Sequence, residues 1–194
     1  MAPGRAIARE AGGALIRMWL LTPGIALALL LPGHSLSYAQ TVSEDQVKAA
    51  YLYNFAKFVE WPAQDFANPT APIRLCLLSN QSFESELNQI VKGKAVAGHP
   101  VTVVPVKNAE QSHSCHILFI SSSQDRQAQH IIEALRDTSV LTVGETKGFV
   151  EKGGIVNFVL QDDRVQFEVN RRAANQAGLR ISSRLLTLAK LVIE

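Results

Sequence analysis

Through "TVSEDQVKAAYLYNFAKFVEWP", Val47, Ala50, Tyr51, Asn54, Phe55 and Phe58 recur at the i, i+3, i+4 and i+7 spacing of one helical face. The stretch therefore predicts an amphipathic helix. Ser43 suits its N-cap, Gln46 three positions on completes a capping box, and Pro62 stops it near Trp61. Five of the chain's thirteen aromatic residues fall between Tyr51 and Trp61. Tyr51, Phe55 and Phe58 are expected in the core. Tyr53 lies about 200° around the helix from Tyr51 at 100° per residue, on the side of Lys57 and Glu60, and Trp61 sits at the helix end. These two are left over as candidates for contact with a partner.

Downstream the period changes. "IRLCLLS" (73–79) and "CHILFISS" (115–122) are largely apolar runs of strand length and predict buried, central strands. "HPVTVVPV" (99–106) predicts a strand that Pro105 confines to an edge or an end, and "SVLTVGE" (139–145) a further strand. "SFESELNQIVKG" (82–93) and "SQDRQAQHIIEALRD" (123–137) read as helices between them. This alternation predicts βαβ units on a parallel sheet. "GGIVNFVLQDDRVQFEVN" (153–170) then alternates on either side of Asp162-Asp163, the pattern of an antiparallel hairpin. Asn170 can cap a short helix ending before Gly178, and Ser182 or Ser183 a final helix, "SRLLTLAKLVIE", whose mostly apolar surface needs a cover. The fold class that follows is α/β: a three-layer α/β/α-like single domain, its sheet mixed and largely parallel, with a C-terminal antiparallel hairpin followed by helices.

The N-terminus departs from this pattern. Arg5, Arg9 and Arg17 precede the run Met18–Leu31, and Ser37 and Ala39 occupy small-residue positions that a signal peptidase reads. Residues 1–39 are expected to be a cleaved secretory signal, and residues 40–194 the mature domain beginning at Gln40. A membrane anchor fits less well, because Pro23 and Gly24 interrupt a run of fourteen residues that falls short of the ~20 a spanning helix needs. Cleavage takes three arginines and one glutamate from 19 basic and 17 acidic residues, leaving 16 of each. A neutral mature chain lacks the basic stripe that phosphate backbones require, so nucleic acid is not an expected partner, and no second long apolar run predicts stable membrane insertion.

Three segments together, "KAAYLYNFAKFVEWP", "LTVGETKGFVEKGGIVNFVLQDDRVQFEVN" and "RAANQAGLRISSRLLTLAKLV", resemble the signatures of the YfiR/HmsC-like family of periplasmic proteins, in order and across nearly all of the mature chain. The resemblance implies a signal peptide, a compact α/β domain and a cysteine pair on neighbouring strands, where Cys76 and Cys115 stand. A second pair found in some members is absent, so redox switching built on that pair does not carry over. It also implies regulation, because the namesake of the family binds the periplasmic part of an inner-membrane diguanylate cyclase and holds it inactive, restraining cyclic-di-GMP signalling and biofilm formation. With no output domain in the sequence, this chain is expected to act as a repressor in trans, on such a membrane signalling protein, with a homodimer as a further option. The rival reading is a periplasmic small-molecule sensor.

A secreted chain with an even cysteine count is a natural setting for a Cys76–Cys115 disulfide, the alternative being two buried free thiols. His113, Cys115 and His116 in "HSCH" invite a metal, but strand alternation sends His116 away from the other two and no second ligand cluster exists, so surface histidines and no metal are expected. "VGETKGFVEKGG" lacks the order of a phosphate loop. Glu145, at the end of a presumed parallel strand, and nearby Phe149 mark where an α/β fold tends to place a ligand. No G-x-S-x-G, H-E-x-x-H or triad context occurs, so a binding protein without a cofactor, not an enzyme, is expected.

Overall fold

The computed structural model describes residues 42–194, so the expected signal segment and the cleavage point at Gln40 lie outside the described residues. Helix α1 (Glu44–Phe58) starts with the anticipated capping box: the Gln46 N–H donates to Ser43 Oγ and the Gln46 side chain accepts from the Ser43 N–H, both at 3.1 Å. It ends earlier than predicted, because Val59–Glu60 leave it as strand β1. There follow β2 (Ile73–Leu78), α2 (Gln81–Val91), β3 (Ala95–Val96), β4 (His99–Pro105), the single turn α3 (Ala109–Ser112), β5 (Ile117–Ile120), α4 (Asp125–Ala134) and β6 (Leu141–Gly144). The hairpin β7 (Val156–Gln161) and β8 (Arg164–Asn170) leads to α5 (Arg171–Gln176), β9 (Arg180–Ile181), α6 (Ser183–Leu188) and β10 (Leu191–Ile193).

Eight strands form one mixed sheet in the order β10-β8-β7-β6-β5-β2-β4-β3. The run β4-β2-β5-β6-β7 is parallel, while β8 is antiparallel to β7. The hairpin turns at Asp162 and Asp163, both left-handed with φ of 50° and 56°, as a two-residue turn of primed type requires. Strand alternation divides the core between the two faces of the sheet. Ile73, Leu75, Leu77, Ile117, Phe119, Leu141 and Val143 meet α1 and α2 on one side. Cys76, Leu78, Leu118 and Ile120 meet α4 and Phe149 on the other. The architecture is a three-layer α/β single domain.

Three expectations need correction. The last helix is short: α6, capped by Ser182, ends at Leu188, and Leu191–Ile193 instead extend the sheet beside β8. An apolar run of three residues suits an open sheet edge as well as a helix, and the edge of β8 was available only in the folded chain. The buried stripe of α1 is Lys48, Ala49, Leu52, Phe55 and Ala56, rotated from the predicted face, so Tyr51 and Phe58 are half-buried at its flanks. Small alanines let the helix approach the sheet closely, and Tyr51 packs at its flank on Phe158 and Phe167 of the hairpin. Tyr53, assigned to the free side, is likewise half-buried against the core. The Nζ atoms of Lys57 and Lys94 lie 4.3 and 4.6 Å from its ring centroid.

Candidate functional site

The C-terminal ends of the parallel strands are the usual place for a ligand in this architecture, and β2 and β5 flank the point where chain order reverses. Next to that point, at the ends of β5 and β6, stands a carboxylate of the protein itself. Glu145, just after β6, accepts a hydrogen bond from the Ser122 N–H at 2.7 Å and one from Lys48 Nζ at 2.5 Å. Lys48 also bridges to Glu44 at 2.5 Å. The Lys48 and Glu145 side chains are only 11% and 13% exposed. Burial alone would raise the Glu145 pKa, but the hydrogen bonds from Lys48 and Ser122 and the charge of Lys48 outweigh it and hold the carboxyl below its ordinary value. The Lys48 ammonium is likewise raised, its burial outweighed by Glu145 and Glu44. This group ties the start of α1 to the sheet and commits both the carboxylate and the ammonium to internal pairing. Phe149 belongs to the buried core on the α4 side of the sheet. It is 1% exposed and fills the space beside Gly144 and Gly154, where a Cβ on either glycine would strike its ring.

A concave surface lies at the opposite end of the parallel strands, by their starts. α1 runs from Glu145 at the C-terminal ends of these strands towards their starts, where Trp61 Nε1 donates to the His116 carbonyl at 3.1 Å, just before β5. Phe66 stacks between His99 and His116, with centroids 4.1 and 4.7 Å away, and Trp61 meets His116 edge-on at 5.9 Å. The loop after β1, the start of β2 and the β3–β4 turn close round an open cavity of about 500 Å³, which Val59, Trp61, Phe66, Ile73, Val96 and His99 line. An exposed Glu60–Arg180 pair at 3.0 Å crosses from β1 to β9 beside it.

His116 is not the surface histidine expected from "HSCH": it is 7% exposed. Its Nδ1 accepts from the Arg74 N–H at 3.1 Å, which puts the proton of the neutral ring on Nε2. Burial lowers its pKa, with Arg74 and His99 reinforcing the shift and Asp65 opposing it. Cys76 and Cys115 are joined by a disulfide, Cα to Cα 5.8 Å. Of the residues singled out in the sequence, Glu145 and Phe149 lie beyond the C-terminal end of β6, Trp61 by the start of β5, and Tyr53 on α1. No local pattern in the sequence marks the cavity, because His99 reads only as the first residue of a strand and Phe66 is an isolated aromatic; the prolines 62, 69 and 72 around Phe66 are the available signal.

A family model described as YfiR/HmsC-like matches residues 45–190. No curated protein is significantly similar. Among solved structures, a conserved domain protein from Vibrio cholerae O1 biovar eltor superposes with a TM-score of 0.53 at 11% identity, covering 77% of this chain and 60% of that one. The chain thus spans about three fifths of that protein's length, and the likeness concerns the fold alone. An ABC domain in complex with L-Trp from Streptococcus pneumonia aligns over 73% of this chain and 59% of its own, with a TM-score of 0.47 at 14% identity.

Proposed function

The chain belongs to the YfiR/HmsC-like family, and on that premise we propose that it is an exported regulatory binding protein that holds a membrane-bound diguanylate cyclase inactive through that enzyme's periplasmic part. The observation that carries this reading is the family match over residues 45–190. Residues 1–39 serve as the cleaved leader and residues 40–194 as the regulatory domain. A disulfide between two buried cysteines suits an oxidising compartment. No helix among the described residues is long and apolar enough to cross a membrane. Binding, not catalysis, is the activity, and the ionisable group at the sheet's C-terminal edge is committed to internal pairing.

The contact surface is centred on Tyr53 with its flanking Lys57 and Lys94, since a half-buried aromatic under cationic side chains has the composition of an interface anchor. Trp61 contributes through the cavity wall more than through direct contact. The test is to co-express the exported protein with membrane-anchored diguanylate cyclases of its host and measure cyclic-di-GMP. Wild type should lower the nucleotide with one of them, and Tyr53→Ala should weaken repression about thirtyfold, the effect of losing ~2 kcal/mol. Unchanged cyclic-di-GMP with every cyclase, together with no crosslinked partner from native membranes, would overturn the proposal. A second reading, a small-molecule sensor, is favoured by one specific observation, the cavity beside Trp61 and His99.

A further inference from the structure

We infer that the cavity between α1, β2 and the β3–β4 turn is a binding site for an uncharged, ring-bearing small molecule that carries a hydrogen-bond donor. The site is independent of the cyclase reading, and its test needs only the purified protein. Three observations lead to it.

The first is shape. At about 500 Å³ the cavity is of the size that holds small ligands. Four separate stretches of chain wall it: the end of α1 with Val59 and Trp61, the loop with Ala63 and Phe66, Ile73 opening β2, and Val96 to His99. Ala97 in that last wall is held left-handed at φ 50°, a conformation that costs an alanine free energy and that the tight β3–β4 turn imposes.

The second is the preparation of His99. Its Nδ1 lies 2.7 Å from the Ala71 carbonyl, which can only accept, so Nδ1 donates and in the neutral ring Nε2 is an acceptor. The same ring is stacked on Phe66 at 4.1 Å, which fixes its plane. His99 thus brings an acceptor to a cavity wall that is apolar apart from Asn68 and Glu60, the pattern by which a pocket binds an apolar body and selects one polar group.

The third is charge. The nearest acidic side chain in the lining, Glu60, is already paired with Arg180 and points to solvent at 70% exposure. The indole N–H of Trp61 is spent on the His116 carbonyl. Neither a fixed cation nor a free carboxylate is presented to an occupant, so a charged ligand would lose hydration without a counter-charge.

The experiment uses 2-naphthol and 2-methoxynaphthalene, two neutral bicyclic probes that differ by the donor. Binding to the purified exported protein is followed by calorimetry and by the 15N signal of the His99 ring. 2-Naphthol should bind at least tenfold more tightly than 2-methoxynaphthalene and should shift the Nε2 resonance. Ala63→Phe, which fills the mouth from an exposed position, should abolish binding of both. His99→Phe should remove the difference between them. No binding of either probe at millimolar concentration, or undiminished binding by Ala63→Phe, would overturn the site. Equal binding of the two probes to the wild-type protein would overturn the donor requirement, whatever the stability of the variants.

Discussion

Replacing Glu145 by glutamine keeps the size of the side chain and removes its charge. Lys48 Nζ then loses a partner at 2.5 Å while both side chains remain nearly enclosed, at 11% and 13% exposure. Breaking a buried pair from one side costs about 3–5 kcal/mol when the survivor is stranded. Lys48 is not wholly stranded, because Glu44, itself 45% exposed, stays within 2.5 Å, and the Ser122 N–H can still donate to the amide oxygen. A loss of about 2 kcal/mol is the consistent figure, equivalent to a melting temperature lower by about 4–8 °C for a domain of this size. The pH dependence carries a second signature. Because the Glu145 pKa is depressed in the folded state, its contribution is present above the ordinary carboxyl value of 4.5 and disappears as pH falls through the folded value. The raised Lys48 pKa gives the converse: its contribution is complete below 10.5 and disappears as pH rises through the folded value. Urea unfolding from pH 3 to 8 should therefore show a steeper acid-side decline for wild type than for Glu145→Gln. Adding Lys48→Met should recover part of the loss, since removing both charges leaves none buried alone. A Glu145→Gln protein that unfolds within about 0.5 kcal/mol of wild type, with the same acid-side decline, would refute the reasoning.

Gly144→Ala and Gly154→Ala should each destabilise by about 1–3 kcal/mol through overpacking of Phe149, and Phe149→Leu should partly rescue either in denaturant melts. Phe55→Ala, at a fully buried position that stacks with Tyr51 and Phe158, should cost about 3–5 kcal/mol, whereas Phe58→Ala, half-buried, should cost clearly less in the same measurement. Reducing the Cys76–Cys115 bridge, which spans 39 positions, should lower stability by about 4 kcal/mol in the chain-entropy account, read as a shifted urea midpoint with and without reductant. Asp163→Gly, relieving a left-handed aspartate at φ 56°, should raise stability by about 1 kcal/mol in a thermal melt.

Local rules account for what could be read in the chain itself. The capping box at Ser43 and Gln46, the turn at Asp162-Asp163 and the cap at Asn170 involve residues a few positions apart, and each is present. The α/β class also follows from period and length, because short, largely apolar runs such as Ile73–Leu78, broken only by Arg74 and alternating with helical segments, suit strands covered on both faces. Direction around a helix was less legible. Which side of α1 is buried depends on what lies beside it, and α2, the hairpin rings Phe158 and Phe167, and α6 surround it on several sides. Pairings between distant segments were beyond any local rule. Val59 lies opposite Ile181, Lys48 meets Glu145 across 97 positions, and Phe66 is clasped by histidines from two different strand entries. These contacts close only when the sheet sets its strand order, so the disposition of Glu145, Phe149, Tyr53 and the His99 cavity belongs to the tertiary structure: burial and electrostatic pairing are properties of neighbours in space, and sequence distance does not encode them.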